Sequence, residues 1–192
     1  MAGDRRNCLG RTATLGMARE MPLTYPIGGS GQMLRLRPDV LRTFNRHRQG
    51  WLFGRESGGQ LFAGFEDPGT VDVQEATPPR HADVRTRHSF MPDRRAETRE
   101  IQDRHRCGLH FVGDWHTHPE ARPSPSTTDI VSAQAAFLSS SHHLNAFLMV
   151  VVGRAPFPDG LFVALCDGSS CHRLQAQPRR RRWMYIGGHS KG

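Results

Sequence analysis

The amino-acid sequence predicts a single α/β domain in which a central mixed β-sheet is flanked by helices. Three observations carry this. The chain has 192 residues, enough for one ordinary hydrophobic core and cramped for two. Strand-length runs, alternating in MLRLR and apolar in NAFLMVVVG and LFVALC, are interleaved with stretches whose apolar residues recur at helical spacing. Strands and helices thus mix along the chain, which suits a helix-covered sheet better than a bundle or a sandwich.

Taken in order, residues 1–30 hold Gly, Thr, Arg and Pro without apolar periodicity, and PIGGSGQ reads as a flexible lead-in to a domain spanning 31–175. MLRLR alternates as a short strand, and Pro38 then opens a helix with Val40, Leu41 and Phe44 on one face. The stretch ESGGQLFAGFEDPGTVDVQ contains two strand-like runs around the turn signal EDPG, hence a hairpin. Residues 74–94 are punctuated by prolines, with Val84 to Phe90 as an edge strand. ETREIQDRHRC reads as a helix ending before Gly108, and LHFVGDWHTHP as a strand that runs out into a polar loop. Ser126-Thr127-Thr128-Asp129 begins another helix, with Ile130, Ala133, Ala136, Phe137 and Leu138 as its apolar stripe. NAFLMVVVG and LFVALC follow as strands separated by APFPDG, and residues 176–192 form a basic tail.

Composition narrows the function classes. Apolar residues make up 36% and charged residues 23%, as in a soluble domain with polar extensions. The longest apolar run, Ala146 to Gly153, is strand-length, far short of the ~20 residues a membrane span needs. The first twenty residues carry arginines but no apolar stretch of a secretory signal, so a cytoplasmic location and no membrane partner are expected. Cys8, Cys107, Cys166 and Cys171 are few and irregularly spaced, so reduced thiols packed at strand ends are expected. The formal charge of +8 comes almost wholly from arginine, since Lys191 is the only lysine. No RRM, KH or zinc-finger pattern accompanies the run Arg179–Arg182, so a solvated tail is expected and nucleic acid is not the expected partner.

The chemistry is concentrated between Trp115 and Asp129. On an extended strand end His116 and His118 point the same way, because side chains alternate with period two. The proline-rich PEARPSP loop can turn back and bring Asp129, in the first turn of the next helix, to the same point. Two histidines and one aspartate form a three-ligand zinc set with a fourth position open, the arrangement of a catalytic site. Ser126 and Asp129 also suit the N-terminal cap of that helix, and His-x-His alone would be weak evidence among 11 histidines. Trp115 is expected to pack behind the strand, while His105, His110, His142, His143 and His172 lack ligand spacing to a carboxylate.

His116-x-His118-Pro119, seven residues further Ser126, and then Asp129 together resemble the JAMM motif of the JAB/MPN zinc metalloprotease family. The resemblance covers roughly residues 33–170 and is strongest to prokaryotic JAB-type, deubiquitinase-like isopeptidases. It implies a cytidine-deaminase-like α/β domain holding one Zn2+ per chain on His116, His118 and Asp129. It places the catalytic glutamate on an early strand, where Glu56-Ser57-Gly58-Gly59 matches, and gives Ser126 a part in stabilising the oxyanion or orienting water. The two glycines would let a substrate backbone approach closely. The implied substrate is a ubiquitin-like protein or its conjugate, cut at its C-terminal tail, with E1/E2-like neighbours and a setting in bacterial conjugation or antiphage defence. Rival readings are a JAMM hydrolase that trims a sulfur-carrier protein or a small-molecule adduct, and a non-catalytic scaffold or nucleic-acid-associated module.

Overall fold

The computed structural model describes residues 20–49, 54–86 and 90–178. An eight-stranded sheet dominates them: β1 (Leu23–Ile27), β2 (Gln32–Leu36), β3 (Gly58–Gly64), β4 (Thr70–Ala76), β7 (His110–Thr117), β8 (Phe147–Val152), β9 (Leu161–Cys166) and β10 (Cys171–Arg173). Its spatial order is β1-β2-β4-β3-β7-β8-β9-β10, parallel at β2/β4 and β7/β8 and antiparallel elsewhere. Two strands of two residues each, Val84–Arg85 (β5) and Phe90–Met91 (β6), form a small separate ladder. The helices are α1 (Pro38–Arg46), α2 (Arg94–Arg106) and α3 (Thr127–Ser139). The sheet curls until the chain beyond β10 meets its first strand, where the Gln177 amide donates to the Thr24 carbonyl at 2.8 Å.

The main core lies inside this curl. Val40, Leu41 and Phe44 of α1 are buried, as their spacing predicts, with Pro38 supplying the preset first turn. Phe44 stacks 5.1 Å from Trp115, which is 1% exposed and donates through Nε1 to the Thr77 carbonyl. Trp115 is thus the packing residue behind β7 that the sequence suggests. β8, FLMVVV, is buried throughout because strands cover both its edges and side chains cover both its faces. The β3/β4 hairpin forms around the EDPG turn, where Gly69 adopts φ 81°.

Several expectations are corrected. Residues 23–27, read as part of a flexible lead-in, are β1, with Leu23 and Tyr25 buried; their short alternation is masked by the neighbouring glycines. The edge strand expected over 84–90 is instead the β5/β6 pair, with residues 87–89 outside the described ones. Buried Asp83 accounts for this reversal: one carboxylate oxygen accepts from the Arg80 amide at 2.6 Å and the other from the Asp93 amide at 2.9 Å, drawing both ends of the arm together. α2 starts earlier than Glu97 because Asp93 caps it, accepting from the Arg95 and Ala96 amides. Leu138, expected in the α3 stripe, is exposed, whereas Ile130 and Ala133 pack on Met149 and Val151. Cys166 and Cys171, expected as reduced thiols, form a disulfide, since they face each other across the β9/β10 register. Cys8, the Arg179–Arg182 run and most of both terminal extensions lie outside the described residues. No helix among the described residues is long and apolar enough to cross a membrane.

Candidate metal centre

β7 runs between β3 and β8, with His116 opposite Gly58 on one side and Val151 on the other. His118 continues the ladder by one residue, its amide donating to the Val152 carbonyl at 2.9 Å. The two imidazoles consequently face one side, with ring centroids 4.9 Å apart. The following loop folds back over the end of β8. Arg154 and Ala155 donate backbone bonds to the carbonyls of Glu120 and Ala121, and a Cβ at Gly153 would lie 2.6 Å from Pro123. Glycine at 153 therefore lets the loop close.

That closure delivers Ser126 as the N-cap of α3. Ser126 Oγ accepts from the Asp129 amide at 3.2 Å, while Asp129 Oδ2 accepts from the Ser126 amide and hydroxyl, each at 2.7 Å. The pair forms a reciprocal capping box, with aspartate in place of the commoner glutamate or glutamine. Capping does not remove Asp129 from the histidines: Oδ1 lies 3.4 Å from His116 Nε2 and Oδ2 lies 3.4 Å from His118 Nε2. One carboxylate serves both purposes.

The electrostatics follow from this geometry. Burial alone would raise the Asp129 pKa, but the two imidazoles and the Ser126 hydroxyl outweigh it and hold the carboxyl far below the usual carboxylate range. The Asp129 carboxylate in turn raises the His118 pKa against the effect of burial, helped by the charges of Glu120 and Glu56. His116 Nε2 is buried with no hydrogen-bond partner, its contact with Asp129 being an ion-pair distance only. Ligand atoms of His116, His118 and Asp129 all lie within 4.8 Å of one another, and this is the only such cluster among the described residues. Two imidazole nitrogens and a carboxylate, one nitrogen buried without a partner, fit a divalent cation such as zinc. On the far side of His118, Nδ1 lies 3.3 Å from Glu120 Oε2, the contact by which a carboxylate fixes which nitrogen stays available to a metal.

Glu56 is 7% exposed and lies near enough for its charge to act on His118. It sits just before β3, where the Ser57 amide donates to Thr117 Oγ1 at 2.9 Å and the Thr117 amide returns a bond to the Ser57 carbonyl at 2.8 Å. All five sequence-predicted residues, Glu56, His116, His118, Ser126 and Asp129, therefore converge. The role expected for Gly58 and Gly59 is corrected. A Cβ at Gly58 would lie 2.6 Å from the Phe90 ring, and one at Gly59 would lie 2.2 Å from the Thr77 carbonyl oxygen. The protein itself fills the space that was expected to admit a substrate backbone. Thr117, fully buried between the two histidines, was missed, as was Arg85 beside Glu56. Only the x of His-x-His could have pointed to Thr117; nothing in the sequence marks Arg85. The bystander histidines stay apart, His105 meeting His110 edge to face and His142 lying against Phe137 and Phe147.

Comparison with known proteins shows the family and the fold. The family described as prokaryotic homologs of the JAB domain matches residues 35–164. A CD-NTase/cGAS isopeptidase of Enterobacter hormaechei is 30% identical over 102 residues, 53% of this chain and 57% of that protein. A probable metalloprotease, y4qB, of Sinorhizobium fredii is 31% identical over 117 residues, 59% of this chain and 63% of that one. A CD-NTase/cGAS isopeptidase of Vibrio cholerae is 32% identical over 110 residues, 56% and 62% of the two chains. The chain thus spans less than two thirds of the length of these three relatives. A solution structure of a protein from Desulfitobacterium hafniense shares the fold, with a TM-score of 0.51, 19% identity, and coverage of 70% of this chain and 84% of that one.

Proposed function

The chain belongs to the family of prokaryotic JAB-domain homologues, and from that membership we propose that it is a zinc-dependent isopeptidase that releases a conjugated protein from a lysine side chain. The observation that carries the reading is the cluster of His116, His118 and Asp129, with buried Glu56 tied beside it by the paired bonds of the next residue, Ser57, to Thr117 between the two histidines. Two of these relatives are named CD-NTase/cGAS isopeptidase and the third a probable metalloprotease. The isopeptidase names support an isopeptide bond involving a CD-NTase as the bond cut. A ubiquitin-like protein as the other substrate class, a setting in bacterial conjugation or defence and E1/E2-like makers of the bond rest on the resemblance of the motif alone. One zinc per chain would be held by His116, His118 and Asp129.

Zinc at such a site supplies Lewis acidity, polarising a carbonyl and making water acidic enough to attack near neutral pH. The chain's own groups do the rest. Glu56 takes a proton from the attacking water and delivers it to the departing amine, a two-way task suited to a carboxylate held beside the ligands. Ser126 orients Asp129 through its hydroxyl, and it becomes an oxyanion donor only by releasing Asp129 Oδ2. Glu120 keeps His118 Nδ1 engaged and so leaves Nε2 for the metal.

The test uses two purified conjugates, a CD-NTase and a ubiquitin-like protein, each joined to a lysine side chain of a reporter protein. Cleavage of either is expected, stopped by a zinc chelator, restored by added zinc and unaffected by a thiol-alkylating reagent. Cleavage that survives the chelator would sink the metal mechanism. Elemental analysis is expected to give one zinc per chain.

A further inference from the structure

We infer that Arg85 is a positioning residue that holds the Glu56 carboxylate in place for the reaction, an inference that rests on the reading of Glu56 as the proton carrier. Arg85 stands on β5, outside the main sheet, and reaches back across the chain. Its Nε donates to the Glu56 carbonyl at 2.5 Å and its Nη2 donates to Ser57 Oγ. The next residue along the arm completes the grip, since the Glu56 amide donates to the Thr86 carbonyl at 2.7 Å.

The consequence follows from backbone geometry. A residue has two soft backbone torsions, φ and ψ, and these are fixed once both flanking peptide planes are held. The plane before the Glu56 Cα is held by Thr86. The plane after it is held on its oxygen by Arg85 and on its N–H by Thr117 Oγ1. The Glu56 Cα–Cβ bond therefore has one direction, although Glu56 lies outside regular β-structure. Phe90 of β6, packed where a Gly58 side chain would be, seats the arm against the same strand. Without Arg85 the plane after Glu56 keeps only its Thr117 bond. Misplacement of a reacting group by about 1 Å can cost ~10²-fold in rate.

Arg85→Met removes both contacts, Arg85→Lys can restore one, and Ser57→Ala removes only the Nη2 partner. With zinc-loaded full-length protein and the CD-NTase conjugate described above, Arg85→Met is expected to lower kcat ~10²-fold with KM and zinc content unchanged. Arg85→Lys should recover part of the loss. On a Glu56→Gln background Arg85→Met should cost nothing more, because a residue acting through Glu56 has nothing left to position. Amide exchange gives a reading that needs no cleavage: faster exchange in Arg85→Met confined to residues 55–57 supports the role, and unchanged exchange there overturns it. If Arg85→Met does not fold, Ser57→Ala and Arg85→Lys carry the test, with an intermediate loss of kcat expected. Wild-type turnover in Arg85→Met alongside an inactive Glu56→Gln overturns the inference alone. Wild-type turnover in Glu56→Gln overturns the parent reading, and Arg85's role falls with it.

Discussion

The metal-ligand segment and the Glu56 segment meet at one point but are built in opposite ways. His116 to Asp129 is a single strand–loop–helix unit of fourteen residues. Much of its organisation is internal: Ser126 and Asp129 cap the helix between them, and Glu120 stands against His118. Glu56 lies outside regular strand structure, and its holding bonds come from far along the chain, 29 residues away at Arg85, while Ser57 is bonded 60 residues away at Thr117. Metal holding should therefore survive damage to the Glu56 side, whereas proton transfer should depend on both.

The largest expected effect breaks the comparison from the metal side. His118→Ala leaves two of three ligands, and elemental analysis should find the protein without zinc and without activity, since a two-ligand site rarely retains the ion. Full zinc in this variant would take His118 out of the ligand set. Glu56→Gln is the counterpart. It keeps size and hydrogen bonding but cannot carry a proton, so turnover should fall ~10²–10⁴-fold or more with zinc content unchanged. Loss of zinc from Glu56→Gln would show that the two sides are not separable.

Thr117→Val attacks the one residue that belongs to both sides. It is nearly isosteric, but it leaves the buried Ser57 amide without its acceptor. An unsatisfied buried donor costs about 1–3 kcal/mol, which chemical denaturation would read directly. Turnover should fall while zinc remains bound, because the histidine backbone still pairs with β8. A variant as stable as the wild type would mean that the Ser57 amide finds another partner.

The same contrast explains what the sequence made legible. The ligand set could be read because its residues share one short segment and obey local rules, the period of a strand and the chemistry of a helix cap. Glu56 was found only through resemblance, since a glutamate before two glycines has many uses. Thr117 and Arg85 were invisible because their roles depend on the β3/β7 register and on the reversal of the arm at Asp83, neither of which is written locally. Gly58 and Gly59 were read as open space for a substrate, whereas the curl of the sheet and the arm place Thr77 and Phe90 there. The strands of the buried centre were equally readable from their apolar runs. β1 and β10 were not, because five and three residues at a sheet margin carry little periodicity of their own.

Ser126→Ala should give the smallest effect and decides between two uses of one hydroxyl. As a cap, Ser126 accepts from the Asp129 amide, and its loss should lower stability by ~1 kcal/mol, or about 2–4 °C in Tm for a chain of this size. As an orienter, it donates to Asp129 Oδ2, so zinc affinity measured by chelator competition should weaken several-fold without being abolished. As an oxyanion donor it would matter far more, since loss of such a donor typically lowers kcat ~10²–10³-fold. The hydroxyl has one proton, and in this structure it is directed at Asp129. At saturating zinc, kcat of Ser126→Ala should therefore fall less than about tenfold, below the range for a lost oxyanion donor. A fall of ~10²-fold or more under those conditions would mean that the proton leaves Asp129 for the substrate during the reaction. Ser126→Thr, which retains the hydroxyl, should then restore the rate along with the cap.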